Sequence, residues 1–178
     1  MLMDEGMDTG PMLLQEELDI SRDDTAGTLA PRLAELGGRL LVDTIAQLKA
    51  GTLVPKRQDD EQATMAPLLK KEDGLIDWTM NATSLANRVR GLSPWPGAYT
   101  FFGEERWNIW KAVSMMGATT ERPGTIVTVN KQVILVATGE GILEIHEIQT
   151  ANSKRMSVVQ FLAGHRVTAG MQLGSPAA

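Results

Sequence analysis

The chain contains no cysteine. Disulfides and thiolate metal sites are therefore excluded, and a reducing compartment such as the cytoplasm is compatible with the sequence. Histidine is scarce: His146 and His165 are the only two and lie far apart without a neighbour at ligand spacing, so no metal is expected. No apolar run approaches the roughly 18 residues needed to cross a bilayer. Nor does a basic stretch followed by an apolar one open the chain, as it would in a secretory leader. No membrane partner is expected, and the absence of internal repeats sets solenoid architectures aside.

What is present suits a globular protein. At 178 residues the chain is long enough for one mid-sized domain or two small ones. Charge favours the second option. Residues 1–85 hold 16 acidic and 8 basic side chains, whereas residues 86–178 hold 6 and 9, so the halves differ in sign. The mildly basic second half admits phosphate binding without demanding it.

Residues 12–20 alternate in part and are expected to form a strand. Residues 21–24 read as a turn into a helix cap. Leu29, Leu33, Leu36, Leu40, Ile45 and Leu48 then recur at three- to five-residue steps, the stripe of an amphipathic helix. Gly37 and Gly38 are expected to break that helix in two, and Gly51 to end it. One strand cannot make a sheet core, so this region reads as the end of an α/β domain lacking its front. Residues 51–75 are rich in mixed charge with Pro55 and Gly74, which is linker chemistry. A short helix follows, with Leu85, Val89 and Leu92 on one face. Five strands are expected near 98–102, 106–113, 124–130, 132–138 and 142–149, the number and length of a small open barrel of the oligonucleotide-binding type. Ser157 and Gln160 have capping-box spacing for a last helix ending near Gly164.

The stretch MDEGMDTGPM holds the candidate chemistry. Asp-Thr-Gly is the aspartic-protease triplet, but that mechanism needs two aspartates sharing a proton. Here one copy occurs, no hydrophobic strand leads into it, and helices follow. Read from its neighbours alone, Asp8 is either an acid–base group or a turn aspartate holding a glycine-rich loop.

Taken together, MDEGMDTGPMLLQEELDI, DDTAGTLAPRLAELGGRLL, QDDEQATMAPLLKKEDGLIDW, NRVRGLSPWPGAYTFF, RWNIWKA and KRMSVVQFLAGHR resemble, in order, the methionyl-tRNA formyltransferase family. The resemblance implies 1–52 as the C-terminal part of a Rossmann-like formyltransferase domain, 53–72 as linker, 73–170 as an OB-like barrel with helices, and 171–178 as tail. It implies transfer of a formyl group from 10-formyltetrahydrofolate to the amino group of methionyl initiator tRNA, by a cytoplasmic monomer without metal. Asp8 matches the family's aspartate, in the loop pattern Asp-x-Gly-x-Asp-Thr-Gly. Asp4, Glu5 and Met7 lie on the stretch that implies contact with the folate. The family's partner asparagine and histidine precede this loop, so the chain by itself is expected to be inactive.

Arg88, Arg90, Lys154 and Arg155 are candidate tRNA-phosphate contacts, with ordinary solvated charge as the alternative. Trp95, Trp107 and Trp110 could stack on bases, but in so small a barrel all three are expected in the core. Two further functions are compatible with the same residues: an RNA-binding barrel without catalysis, and a related sugar-nucleotide formyltransferase.

Overall fold

A computed structural model describes residues 1–174. The chain divides into two compact units between Leu68 and Leu69.

The first unit is built around one helix, α1 (Ala26–Ala50). Thr25 caps it in a reciprocal box: its Oγ1 accepts from Thr28 N at 3.2 Å, and Thr25 N donates to Thr28 Oγ1 at 2.9 Å. Asp24 accepts from Ser21 N and from Arg32, and these bonds, the Ser21 one first, hold its carboxyl below the usual carboxylate range. Gly51, in the left-handed region at φ 67°, ends the helix. The break expected at Gly37 and Gly38 does not occur. Two glycines cost a helix about 1 kcal/mol each relative to alanine, which lowers its stability without supplying a stop, and neither adopts a left-handed φ. The strand expected over residues 12–20 is absent too, because only Met12 finds a main-chain partner, at Lys56. No neighbouring strand pairs the other main-chain groups, and the Asp19 carbonyl accepts instead from Arg32 Nη2 at 2.9 Å.

Helix α1 buries only Leu36; Leu33, Leu41, Val42, Ile45 and Leu48 are 44–66% exposed. Such an apolar stripe left in solvent stabilises little. Limited proteolysis of the 178-residue chain should therefore cleave within residues 1–50 first and leave a core from about residue 70 onward. Initial cuts within 98–150 would contradict this.

The second unit is an antiparallel sheet with two helices. Its strands are β1 (Ala98–Phe102), β2 (Glu105–Met115), β3 (Ile126–Val129), β4 (Ile134–Ala137), β5 (Ile142–Thr150) and the short β6 (Met156–Ser157), in the order β1-β2-β5-β4-β3 with β6 on β5. The five expected strands are all present, with shifted ends. Helix α2 (Ala82–Gly91) is capped by Asn81, whose Oδ1 accepts from Ser84 N at 2.7 Å, and it buries Leu85, Ala86 and Val89. Helix α3 (Val158–Gly164) has the expected Ser157–Gln160 box and buries Val158 and Phe161. Along β2, Trp107 and Ile109 point into the core formed with Leu85, Val89, Ile145, Ile148 and Phe161.

Residues 171–174, expected to be tail, belong to the sheet. Ile126 N donates to Met171 O at 2.8 Å and Leu173 N to Gly124 O at 2.8 Å on the β3 side; Phe101 N donates to Gly174 O at 2.8 Å on the β1 side. Main-chain bonding thus runs from β3 through this segment to β1 by isolated bridges, Thr125 with Gln172 and Phe101 with Gly174. Leu173 is 1% exposed, so the segment also fills the core. The remainder of the expected tail, 175–178, lies outside the described residues.

Candidate functional site

The loop over residues 4–10 is held by its own short polar side chains. Asp4 Oδ1 accepts from Gly6 N at 3.1 Å, an aspartate turn, and from Thr9 Oγ1 at 2.6 Å. The chain start folds over it, with Leu2 N donating to Pro11 O at 3.0 Å. Gly10 is needed at this crossing, because a Cβ there would lie 1.8 Å from the Leu2 carbonyl oxygen.

Asp8 occupies the left-handed region at φ 57°, which aspartate and asparagine tolerate better than most residues. Its main chain is clamped from a distance in sequence. Gln58 Nε2 donates to the carbonyls of Asp8 and Gly10, each at 2.8 Å. Two 2.8 Å main-chain bonds between Met12 and Lys56 deliver Gln58 to that position. Residues 56–58, expected to be linker, are thus bonded to the loop. The Asp8 carboxylate is exposed and makes no hydrogen bond or ion pair among the described residues.

These facts divide the acidic residues. Asp4, rather than Asp8, holds the turn. An exposed, uncommitted carboxylate on a fixed backbone can accept and relay a proton, but the ionised carboxylate is itself no donor for an oxyanion. Glu5 and Met7 are exposed beside it, Met7 at 84%. The loop borders a shallow cleft lined by Asp4, Thr9, Pro11, Pro55, Arg57 and Asp60. A second cleft, in the other unit, is lined by residues 81–84, 114–119 and 138–141. Its one titratable side chain is Glu140, so it holds no acid–base pair. No three His, Asp or Glu side chains come together as a metal site among the described residues.

The basic candidates sit in the second unit. Arg88 and Arg90 occupy the last turn of α2, where cations complement the helix dipole. Arg88 donates through Nη2 to the Asp73 carbonyl. It also contributes, after the two Thr79 hydrogen bonds, to holding the Asp77 carboxyl below its ordinary range. Arg90 donates to Asn87 Oδ1 at 2.8 Å. Lys154 is exposed, and its neighbour Arg155 pairs with Glu147. Trp107 is buried in the core, but Trp95 is 56% exposed and Trp110, half-buried, lies on the other face of β2, which corrects the expected core place of both. Trp95 stands at a corner between two cis prolines, Pro94 and Pro96. Gln58 was not anticipated: a glutamine inside a charged run carries no motif, and only the fold brings it 48 to 50 positions back to the loop.

Residues 68–166 match the model of the formyl transferase C-terminal domain, and residues 1–45 match that of formyl transferase. The methionyl-tRNA formyltransferase of Solibacter usitatus is 48% identical over 174 residues, 98% of this chain and 55% of that protein. The methionyl-tRNA formyltransferase of Bacillus subtilis is 42% identical over 175 residues, again 98% and 55%. The chain thus spans about half the length of the curated relatives it matches. Among solved structures, HypX from Aquifex aeolicus superimposes with a TM-score of 0.58 at 16% identity, over 90% of this chain and 30% of that one, a likeness of fold alone.

Proposed function

We propose a function from one premise: this chain belongs to the formyl transferase family, through the C-terminal domain that its residues 68–166 match. The reading is that it forms the rear part of a methionyl-tRNA formyltransferase, which moves a formyl group from 10-formyltetrahydrofolate to the amino group of methionyl initiator tRNA. The observation that carries it is 48% identity to such an enzyme over 174 residues. Within it, the first unit is the end of a Rossmann-like domain, and the second, with both sheet edges bonded to residues 171–174, is an OB-like barrel.

The chemistry assigns roles to the loop. The neutral amine attacks the formyl carbon, a C–N bond forms, and charge gathers on the formyl oxygen. The intermediate then collapses with cleavage of the bond to folate N10, as a proton leaves the amine and one reaches N10. Asp8, exposed on a clamped backbone, takes up the amine proton. The oxyanion requires separate donors, which relatives about twice as long have room to supply. Glu5 and Met7, exposed beside Asp8, are the residues offered to the folate: a carboxylate for ring N–H groups and a thioether for the ring face. Asp4 serves by shaping the loop, since its carboxylate is taken by Gly6 and Thr9. Gln58 is a positioning residue.

Joining this chain behind the front segment of the Bacillus subtilis relative tests the reading. The chimera should formylate methionyl initiator tRNA in the presence of 10-formyltetrahydrofolate, and a folded chimera without transfer would reject it. Within that chimera Gln58→Met, which keeps the side-chain length but removes both donors, should lower kcat by about tenfold while leaving tRNA affinity unchanged. The expected size reflects how steeply rate depends on the placement of a catalytic group. Equal loss in affinity would instead assign Gln58 to general folding.

A further inference from the structure

The outer face of β1, β2 and β5 carries two arginines held in the same way. The Arg106 guanidinium carbon lies 3.7 Å from the centroid of the Tyr99 ring, and its Nε donates to Asn108 Oδ1 at 3.0 Å. The Arg155 guanidinium carbon lies 5.4 Å from the centroid of the Trp110 ring, and its Nε donates to Glu147 Oε2. In both, an aromatic ring and one Nε bond orient the guanidinium, while the two terminal nitrogens have no partner among the described residues.

The supports are themselves fixed. Trp110 Nε1 donates to Gln149 Oε1 at 3.0 Å. The Tyr99 ring packs so closely on Gly74 that a Cβ there would fall 3.0 Å from ring carbons. Alternation along β2 sends Trp107 and Ile109 inward and leaves Arg106, Asn108 and Trp110 on the outer face, with Tyr99 opposite Asn108 in register. Arg106 and Trp110 are four residues apart, about 13 Å along a strand. One phosphate cannot reach both arginines, whereas two separate phosphates of one strand can.

An arginine fork matches two phosphate oxygens at once. An arginine already oriented by a ring loses little further freedom when it binds. Lys111, opposite Glu147 in the β2–β5 register, and Lys154, next to Arg155 in sequence, are exposed, so with Arg106 and Arg155 the basic side chains outnumber the carboxylates of Glu144 and Glu147. The carboxylate of Glu105 is engaged by the Trp107 indole at 3.0 Å. We propose that Arg106 and Arg155 are a pair of pre-oriented phosphate grips for a tRNA strand lying across the outer face of β1, β2 and β5. The proposal rests on the formyl-transfer reading for the identity of that RNA. Arg106 carried no motif in the sequence and stands here ahead of Arg88, whose terminal nitrogen is spent on the Asp73 carbonyl.

The test is binding of labelled methionyl initiator tRNA to the 178-residue chain over a range of salt concentrations. Joint replacement Arg106→Ala and Arg155→Ala should flatten the log–log salt slope by about two units and weaken low-salt binding by at least about tenfold. The melting temperature should stay the same. The joint replacement Arg106→Lys and Arg155→Lys should keep the slope but bind a few-fold more weakly, because an ammonium lacks the planar fork. An unchanged slope in the alanine pair, or no binding by the native chain at low salt, overturns the grips. Either result is separable from the formyl-transfer reading, which stands or falls on turnover by the chimera.

Discussion

Replacing Asp8 by asparagine in the active chimera should lower formyl transfer by about 10²-fold or more, within the usual range for an acid–base group. That corresponds to about 2.7 kcal/mol or more of transition-state stabilisation. Asparagine is the informative substitute because it matches aspartate in shape and also tolerates the left-handed backbone at φ 57°. The Gln58 clamp, which touches only the Asp8 and Gly10 carbonyls, is left intact. Alanine would mix loss of the carboxylate with backbone strain. The measurement is kcat and KM for methionyl-tRNA, with a melting curve as control. An unchanged kcat would return Asp8 to the role of a turn residue, although Asp4 already fills that role through Gly6 and Thr9.

Phe161→Ala should be among the most damaging single changes to the second unit. The side chain is fully buried, meets Trp107 edge to face with centroids 5.0 Å apart, and stacks on the His165 ring at 4.2 Å. Truncating a buried phenylalanine costs about 3–5 kcal/mol, equivalent in a domain of about 100 residues to a fall in Tm of more than about 12 °C. Val159→Ala, on the same helix but 52% exposed, should stay within about 0.5 kcal/mol of the native chain. Thermal unfolding followed by tryptophan fluorescence distinguishes them. Matching shifts for the two variants would mean that α3 is not anchored through Phe161.

The periodic elements were legible in the sequence because their signals are local. The two helices of the second unit carry their caps at Asn81 and Ser157, and its five main strands carry alternation and glycine punctuation within a few residues. Family resemblance was equally legible, since it rests on the order of motifs along the chain. Errors arose where a partner far away in sequence decides. Residues 12–20 have the pattern of a strand, but a strand exists only when another strand accepts its hydrogen bonds. Gly37 and Gly38 have the composition of a break, but helix continuity depends on the turns either side. Residues 171–174 look like tail and become sheet because Gly124, Ile126 and Phe101 present unpaired main-chain groups to them.

The candidate site divides in the same way. The sequence by itself singled out Asp8 as a candidate, through the match of its loop to the family pattern of aspartates and glycines. Only the tertiary structure decided that Asp4 spends its carboxylate on the loop, that Gln58 clamps it, that Trp95 stands in solvent, and that Arg106 sits over the Tyr99 ring. The physical reason is that residue type and local spacing fix what a side chain can do, whereas its neighbours across the fold fix which of those capacities remain uncommitted.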